Sequence, residues 1–193
     1  MRKWLICVPM MTVLLLSGCT GGGVSEAEEL ALTIRAECLQ QTAWTTEASI
    51  TADYGQRVYQ YEVTASWDGA ETTLILTAPE TVAGLTARLR DGENRLEYED
   101  VSLETGPLNE DGLSPVAALP VLWETARSGY ITACGLEENG LLRVDYGDPE
   151  GTPGRGTEST LWFQADTHAL TAGEIRVDGF RVIRCDFTDF KMG

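Results

Sequence analysis

Histidine occurs once in this 193-residue chain, as His168. It follows Asp166 and Thr167 in what reads as a hairpin turn. General-base work needs a pocket and a positioned neighbour, and a turn tip is expected to supply neither. The other usual signatures of catalysis are missing as well. No G-x-S-x-G elbow, H-E-x-x-H pair or Walker-type loop occurs. The glycine-rich tract Gly151–Gly156 has no lysine and no helix after it, so it reads as surface loop rather than phosphate cradle. No C-x-x-C spacing exists, which speaks against a thioredoxin-like redox pair and a zinc site. Basic side chains are also scarce: 14 against 30 acidic ones, for a formal net charge of −16. Such a surface repels nucleic acid and tolerates cationic partners. These absences point away from an enzyme and from any cofactor or metal.

Carboxylates are plentiful, in groups such as Glu97, Glu99 and Asp100 or Asp145, Asp148 and Glu150. Acid pairs can serve glycoside hydrolysis or calcium binding. On strands, however, alternate positions face opposite sides, and these acids read as the wet face of a sheet.

What the chain does have is an address. Arg2 and Lys3 precede an apolar run from Trp4 to Leu16, and Ser17-Gly18-Cys19 follows. That pattern is a secretory leader ending in a bacterial lipobox. The run stops well short of the roughly 20 residues that span a bilayer. Residues 1–18 are therefore expected to be a lipoprotein signal peptide, with Cys19 carrying the lipid. Each buried lipid methylene contributes about 0.8 kcal/mol, so two or more chains anchor stably. The expected location is the extracytoplasmic face of the cell membrane. Cys7 leaves with the leader, and Cys38, Cys134 and Cys185 remain for at most one disulfide and one free thiol. Cys38 lies at four-residue steps from Leu30 and Ile34, so it is expected to pack as a core residue.

Residues 19–24 read as the lipidated cysteine and a short glycine-rich tether; residues 25–193 form the folded domain. Ser25-Glu26-Ala27-Glu28 matches a capping box, opening a helix to about Gln41. The hydrophobic period then changes to two. Ala48–Tyr54, Tyr59–Trp67, Thr72–Thr77, Leu85–Arg90 and Arg95–Glu99 alternate as strands, with Asp68-Gly69 and Asp91-Gly92 as hairpin signals. After a polar break at Gly106–Pro115, a second helix is expected over Pro115–Ser128, kinked or restarted at Pro120. Tyr130–Leu136, Leu141–Tyr146, Ser159–Ala165, Ala172–Val177 and Phe180–Phe187 complete the pattern. The sum is a mainly β, α+β fold: a strongly curved antiparallel sheet of about ten strands, with two helices packed on its concave side. The aromatic residues fall mainly in these strands and the second helix. They fill the core, or they line an apolar cavity on the concave face; on the second reading Tyr59, Tyr61, Trp67, Trp123 and Trp162 are the candidate ligand contacts.

Three stretches carry a family likeness. Ala78-Pro79 with the hairpin Arg88–Tyr98, the proline-started helix at Leu113-Ser114-Pro115-Val116, and the late hairpin Leu161–Leu170 together resemble the LolA/LolB-type lipoprotein-localisation fold. In that family the fold is an incomplete β-barrel whose mouth is closed by helices. Leu96 and Glu97 replace its aromatic pattern before Tyr98. The lipobox, short linker and half-barrel are also similar to clostridial germination lipoproteins of the GerS type. The resemblance implies a membrane-anchored, non-enzymatic protein that binds a hydrophobic ligand or lipoprotein segment in its half-barrel. The alternative it leaves open is a scaffold that docks a cell-wall or spore-germination partner protein.

Overall fold

The computed structural model describes residues 25–90, 93–106 and 112–193. The expected signal peptide, the expected lipidation site Cys19, the expected tether and the Asp91-Gly92 hairpin signal lie outside the described residues.

The first helix, α1 (Glu26–Gln40), starts where the capping box requires it. The Ser25 hydroxyl accepts from the Glu28 amide, and the Glu28 carboxylate accepts from the Ser25 amide at 2.8 Å. Glu26, Glu28 and Glu29 place negative charge at the positive end of the helix dipole. Its inward stripe is Ala27, Ala31, Ile34 and Cys38, whose small members let the helix lie close to its neighbours. Leu30, expected in that stripe, is half-buried at its edge.

Among the described residues, eleven strands follow in one antiparallel sheet. The first meander is β1 (Trp44–Asp53), β2 (Val58–Trp67), β3 (Glu71–Ala78), β4 (Thr86–Arg90), β5 (Glu93–Tyr98) and β6 (Val101–Glu104). The second is β7 (Ile131–Leu136), β8 (Leu141–Tyr146), β9 (Thr157–Gln164), β10 (Leu170–Val177) and β11 (Phe180–Met192). The spatial order is β6-β5-β4-β3-β2-β1-β11-β10-β9-β8-β7, so the two meanders join where the first strand pairs the last. Trp44 lies opposite Met192 in that pair, and Ala52 opposite Ile183. The half-barrel expected from sequence is the fold found, with β6 as the strand not foreseen.

The helix α2 (Pro115–Ser128) lies between the two meanders in sequence and against β1, β9, β10 and β11 in space. The Ser114 hydroxyl caps it and Pro115 opens it. Of the kink or restart expected at Pro120, the restart does not occur: the helix runs through it as one element. Pro120 has no N–H to give to the Val116 carbonyl, but the buried face Ala117, Ala118, Leu119, Leu122, Trp123 and Ala126 holds the helix to the sheet. Gly173 makes room for it: a Cβ there would stand 2.7 Å from Leu122 Cδ1 and 3.0 Å from Leu161 Cδ2.

Cross-strand partners share a face, so the register sorts the side chains. Ala48, Ile50 and Ala52 line up with Val63, Tyr61 and Tyr59 on one side of β1 and with Phe187, Cys185 and Ile183 on the other. This is the concave, helix-covered face, and it holds the core. The intervening residues, among them Glu47, Ser49 and Thr51, face outward.

Candidate functional site

The concave face divides into a filled part and an open part. At the Trp44–Met192 end, aromatic side chains occupy the space between sheet and α2. The ring of Trp123 lies 6.1 Å from Trp44, 5.9 Å from Trp67 and 5.8 Å from Phe190. Phe187 meets Phe190 edge-on at 5.7 Å, and the Arg127 guanidinium caps the Trp67 ring at 5.1 Å. The indole N–H groups of Trp44 and Trp123 are buried in this block and find no acceptor among the described residues.

The open part lies under the first turn of α2. Ile50, Tyr61, Val63, Leu74, Leu76 and Leu96 from β1, β2, β3 and β5 form its floor. Val82 and Leu85, between β3 and β4, and Pro115 and Val116 of α2 complete a cleft of about 210 Å³. Tyr61 is the one lining residue with a polar side-chain atom. The Tyr54 hydroxyl donates to the Leu113 carbonyl at 2.8 Å, tying the β1–β2 turn to the segment that leads into α2.

The five residues expected to contact a ligand separate accordingly. Tyr61 lines the cleft. Tyr59 stacks on it at 6.5 Å and reaches solvent at the rim. Trp67 and Trp123 belong to the packed aromatic block. Trp162 lies on the opposite, convex face: Leu161 and Phe163 point into the core, and a strand alternates, so the residue between them points out. There its N–H donates to Glu137 at 3.0 Å and Arg184 covers its ring at 4.9 Å. The aliphatic floor lies outside the expected set, which is aromatic throughout. Its signal was the shared parity of Ile50, Val63, Leu74 and Leu76 on neighbouring strands.

His168 sits in the β9–β10 turn as expected, but it has a neighbour. Its Nδ1 lies 2.7 Å from the Glu37 carboxylate of α1, pinning the turn to the helix. Neither residue borders the cleft. The carboxylates mostly follow the wet-face reading. Glu97 holds Arg88, Asp145 holds Arg143 and Thr160, and Asp148 caps its own turn. Glu174 departs from it: on the convex face, 3% exposed, it receives Arg176, Arg181 and Arg184 together.

Cys38, Cys134 and Cys185 are all free thiols. Burial pushes the Cys38 thiol up to about 11 and raises Cys185 further, and it also raises Cys134. Little thiolate is therefore present near neutrality. Among the described residues no group of His, Cys, Asp and Glu side chains is placed to hold a metal ion. No helix there is long and apolar enough to cross a membrane.

No protein-family model matches the chain, and no curated protein matches it in sequence. Solved structures do. A conserved uncharacterised protein from Thermus thermophilus is similar over 88% of this chain and 88% of its own, with TM-score 0.51 and 7% identity. A LolA superfamily protein from Nitrosomonas europaea is similar over 86% of this chain and 93% of its own, at TM-score 0.46 and 11% identity. The structure of the CwlD amidase from Clostridioides difficile in complex with the GerS lipoprotein matches over 88% of this chain and 98% of the matched one, at TM-score 0.46 and 13% identity. At such identities the likeness is one of fold.

Proposed function

We propose that this chain is a non-enzymatic binding lipoprotein, held at the extracytoplasmic face by acyl chains on Cys19, and that the cleft under α2 takes the end of one slim apolar group, such as the tail of an acyl chain. The apolar lining of that cleft carries the reading. Its volume of about 210 Å³ lies between the ~150 Å³ hole that accepts benzene and the ~300–1,000 Å³ of sites for drug-sized ligands. It suits a chain end, and a whole lipid exceeds it. Five buried methylenes at about 0.8 kcal/mol each contribute ~4 kcal/mol, which alone corresponds to about millimolar affinity. The rest of a longer ligand would lie along the apolar strip that continues from Leu96 to Tyr98, Val101 and Leu103.

Among the described residues every core residue lies between Ala27 and Met192, and the Thr20–Gly193 chain, which keeps all of them, is the material for the test. Native mass spectrometry of that chain, before and after incubation with fatty acids, is compared with the denatured sample. The expected result is an acyl adduct that leaves on denaturation and is lost in Val116→Phe, which fills the cleft. An empty wild-type protein after incubation refutes the reading.

A further inference from the structure

The two edges of the sheet are treated differently. At one, α1 packs against β7. At the other, all four residues of β6 are exposed, and among the described residues no strand lies beyond it. The backbone of β6 is also turned for use. Thr105 donates to Asn94 at 2.9 Å just past the strand, and hydrogen-bonded and open pairs alternate along antiparallel strands. Counting back, Leu103 and Val101 point their backbone groups at β5, while Ser102 and Glu104 point theirs outward.

The side chains sort with the same parity. Leu103 pairs Leu96 and Val101 pairs Tyr98 on the concave face, continuing the cleft floor. Val101 and Leu103 are 69% and 60% exposed. The convex row and the hairpin tip are acidic: Glu97, Glu99, Asp100 and Glu104. Arg88 and Arg95 engage Glu97. Glu99, Asp100 and Glu104 make no ion pair among the described residues. An edge of this kind is a template for another strand unless lysine, proline or a covering element blocks it, and among the described residues none does.

We infer that β6 is a docking edge for an extended segment of a partner protein that alternates apolar and basic residues. The segment adds a twelfth strand. Its apolar side chains extend the Leu96–Leu103 and Tyr98–Val101 rows, and its basic ones meet Glu104 and the acidic tip. The charge of the edge selects this occupant over a second copy of the chain, which would bring the same acidic rim against itself. The inference stands independently of the cleft's ligand.

The test uses the Thr20–Gly193 chain and labelled, end-blocked hexapeptides read by fluorescence anisotropy. Binding of the alternating Val/Lys peptide is expected, at least tenfold tighter than that of the Val/Glu peptide and weakened by salt. Ser102→Pro removes an outward N–H without removing a bond to β5, so it should lower Val/Lys affinity at least tenfold. The acyl adduct and the melting temperature should stay unchanged in that variant. Equal binding of both peptides, no binding of either, or full binding by Ser102→Pro overturns the inference. So does a dimer of the chain alone that Ser102→Pro abolishes.

Discussion

Replacing Glu174 by glutamine removes one charge and almost no volume from the convex face. In the native fold that carboxylate is 3% exposed and receives Arg176, Arg181 at 3.1 Å and Arg184 at 2.9 Å. Arg176 and Arg181 are direct cross-strand partners, and like charges so placed repel by up to about 1 kcal/mol. A hydrogen bond to a charged group contributes about 1.5–3 kcal/mol. Glutamine keeps one acceptor oxygen and sets an NH₂ against the guanidinium groups, so about two such bonds are lost. The arginine side chains are 27–57% exposed and can turn to water, which keeps the cost below the ~3–5 kcal/mol of a broken, fully buried pair. The balance is a destabilisation of about 2–3 kcal/mol, or roughly 5–10 °C in melting temperature for a domain of this size. Urea unfolding and calorimetry of the Thr20–Gly193 chain read it directly. Part of the loss should return in 0.5 M salt, where the repulsion between the arginines is screened. The exposed control Glu124→Gln should stay within about 0.5 kcal/mol of wild type. If Glu174→Gln is equally silent, the cluster is a solvated decoration and the reasoning fails.

Removing the Trp123 side chain opens the aromatic block, so Trp123→Ala should cost about 3–5 kcal/mol in urea unfolding; a loss below about 1 kcal/mol would mean the rings are not packed as core. Stability should also fall at alkaline pH. The folded Cys38 thiol sits at about 11 against about 8.5 unfolded. Its contribution is therefore complete below pH ~8.5 and is lost as pH rises toward 11, by about 3–3.5 kcal/mol at ~1.36 kcal/mol per unit. Tyr146 and Cys185, both raised by burial, act in the same direction. Cys38→Ala should flatten the slope of unfolding free energy between pH 9 and 11, and an unchanged slope would refute the assignment.

The sequence carried the local decisions well. Ser25 with Glu28, Ser114 with Pro115, and the Asp68-Gly69 turn each act through neighbours a few residues away, and each appears where expected. The strand β6 escaped because Val101–Glu104 is too short to show a period, and the Glu99-Asp100 turn before it lacks glycine. Trp162, expected on the concave face, lies on the convex one because Leu161-Trp162-Phe163 is an unbroken apolar run whose parity is decided by its register with β8 and β10. The partners of His168 and Glu174 were not legible at all. Glu37 and the arginines reach them through tertiary packing, and no local pattern encodes such contacts. The cleft is a similar case: its floor is visible as alternation, but its opening depends on where α2 begins over the sheet.

The pairing of β1 with β11 has a consequence for how the molecule comes to exist. The centre of the sheet is assembled from residues near opposite ends of the described chain, Trp44 with Met192 and Ala52 with Ile183. Closing so large a loop costs entropy before any contact compensates for it, which makes folding slow. The first meander can form hairpins early, but β1 keeps one bare edge until the last strand is made. Synthesis thus yields a chain that stays unlocked until β11 emerges, and the native sheet closes as one late event.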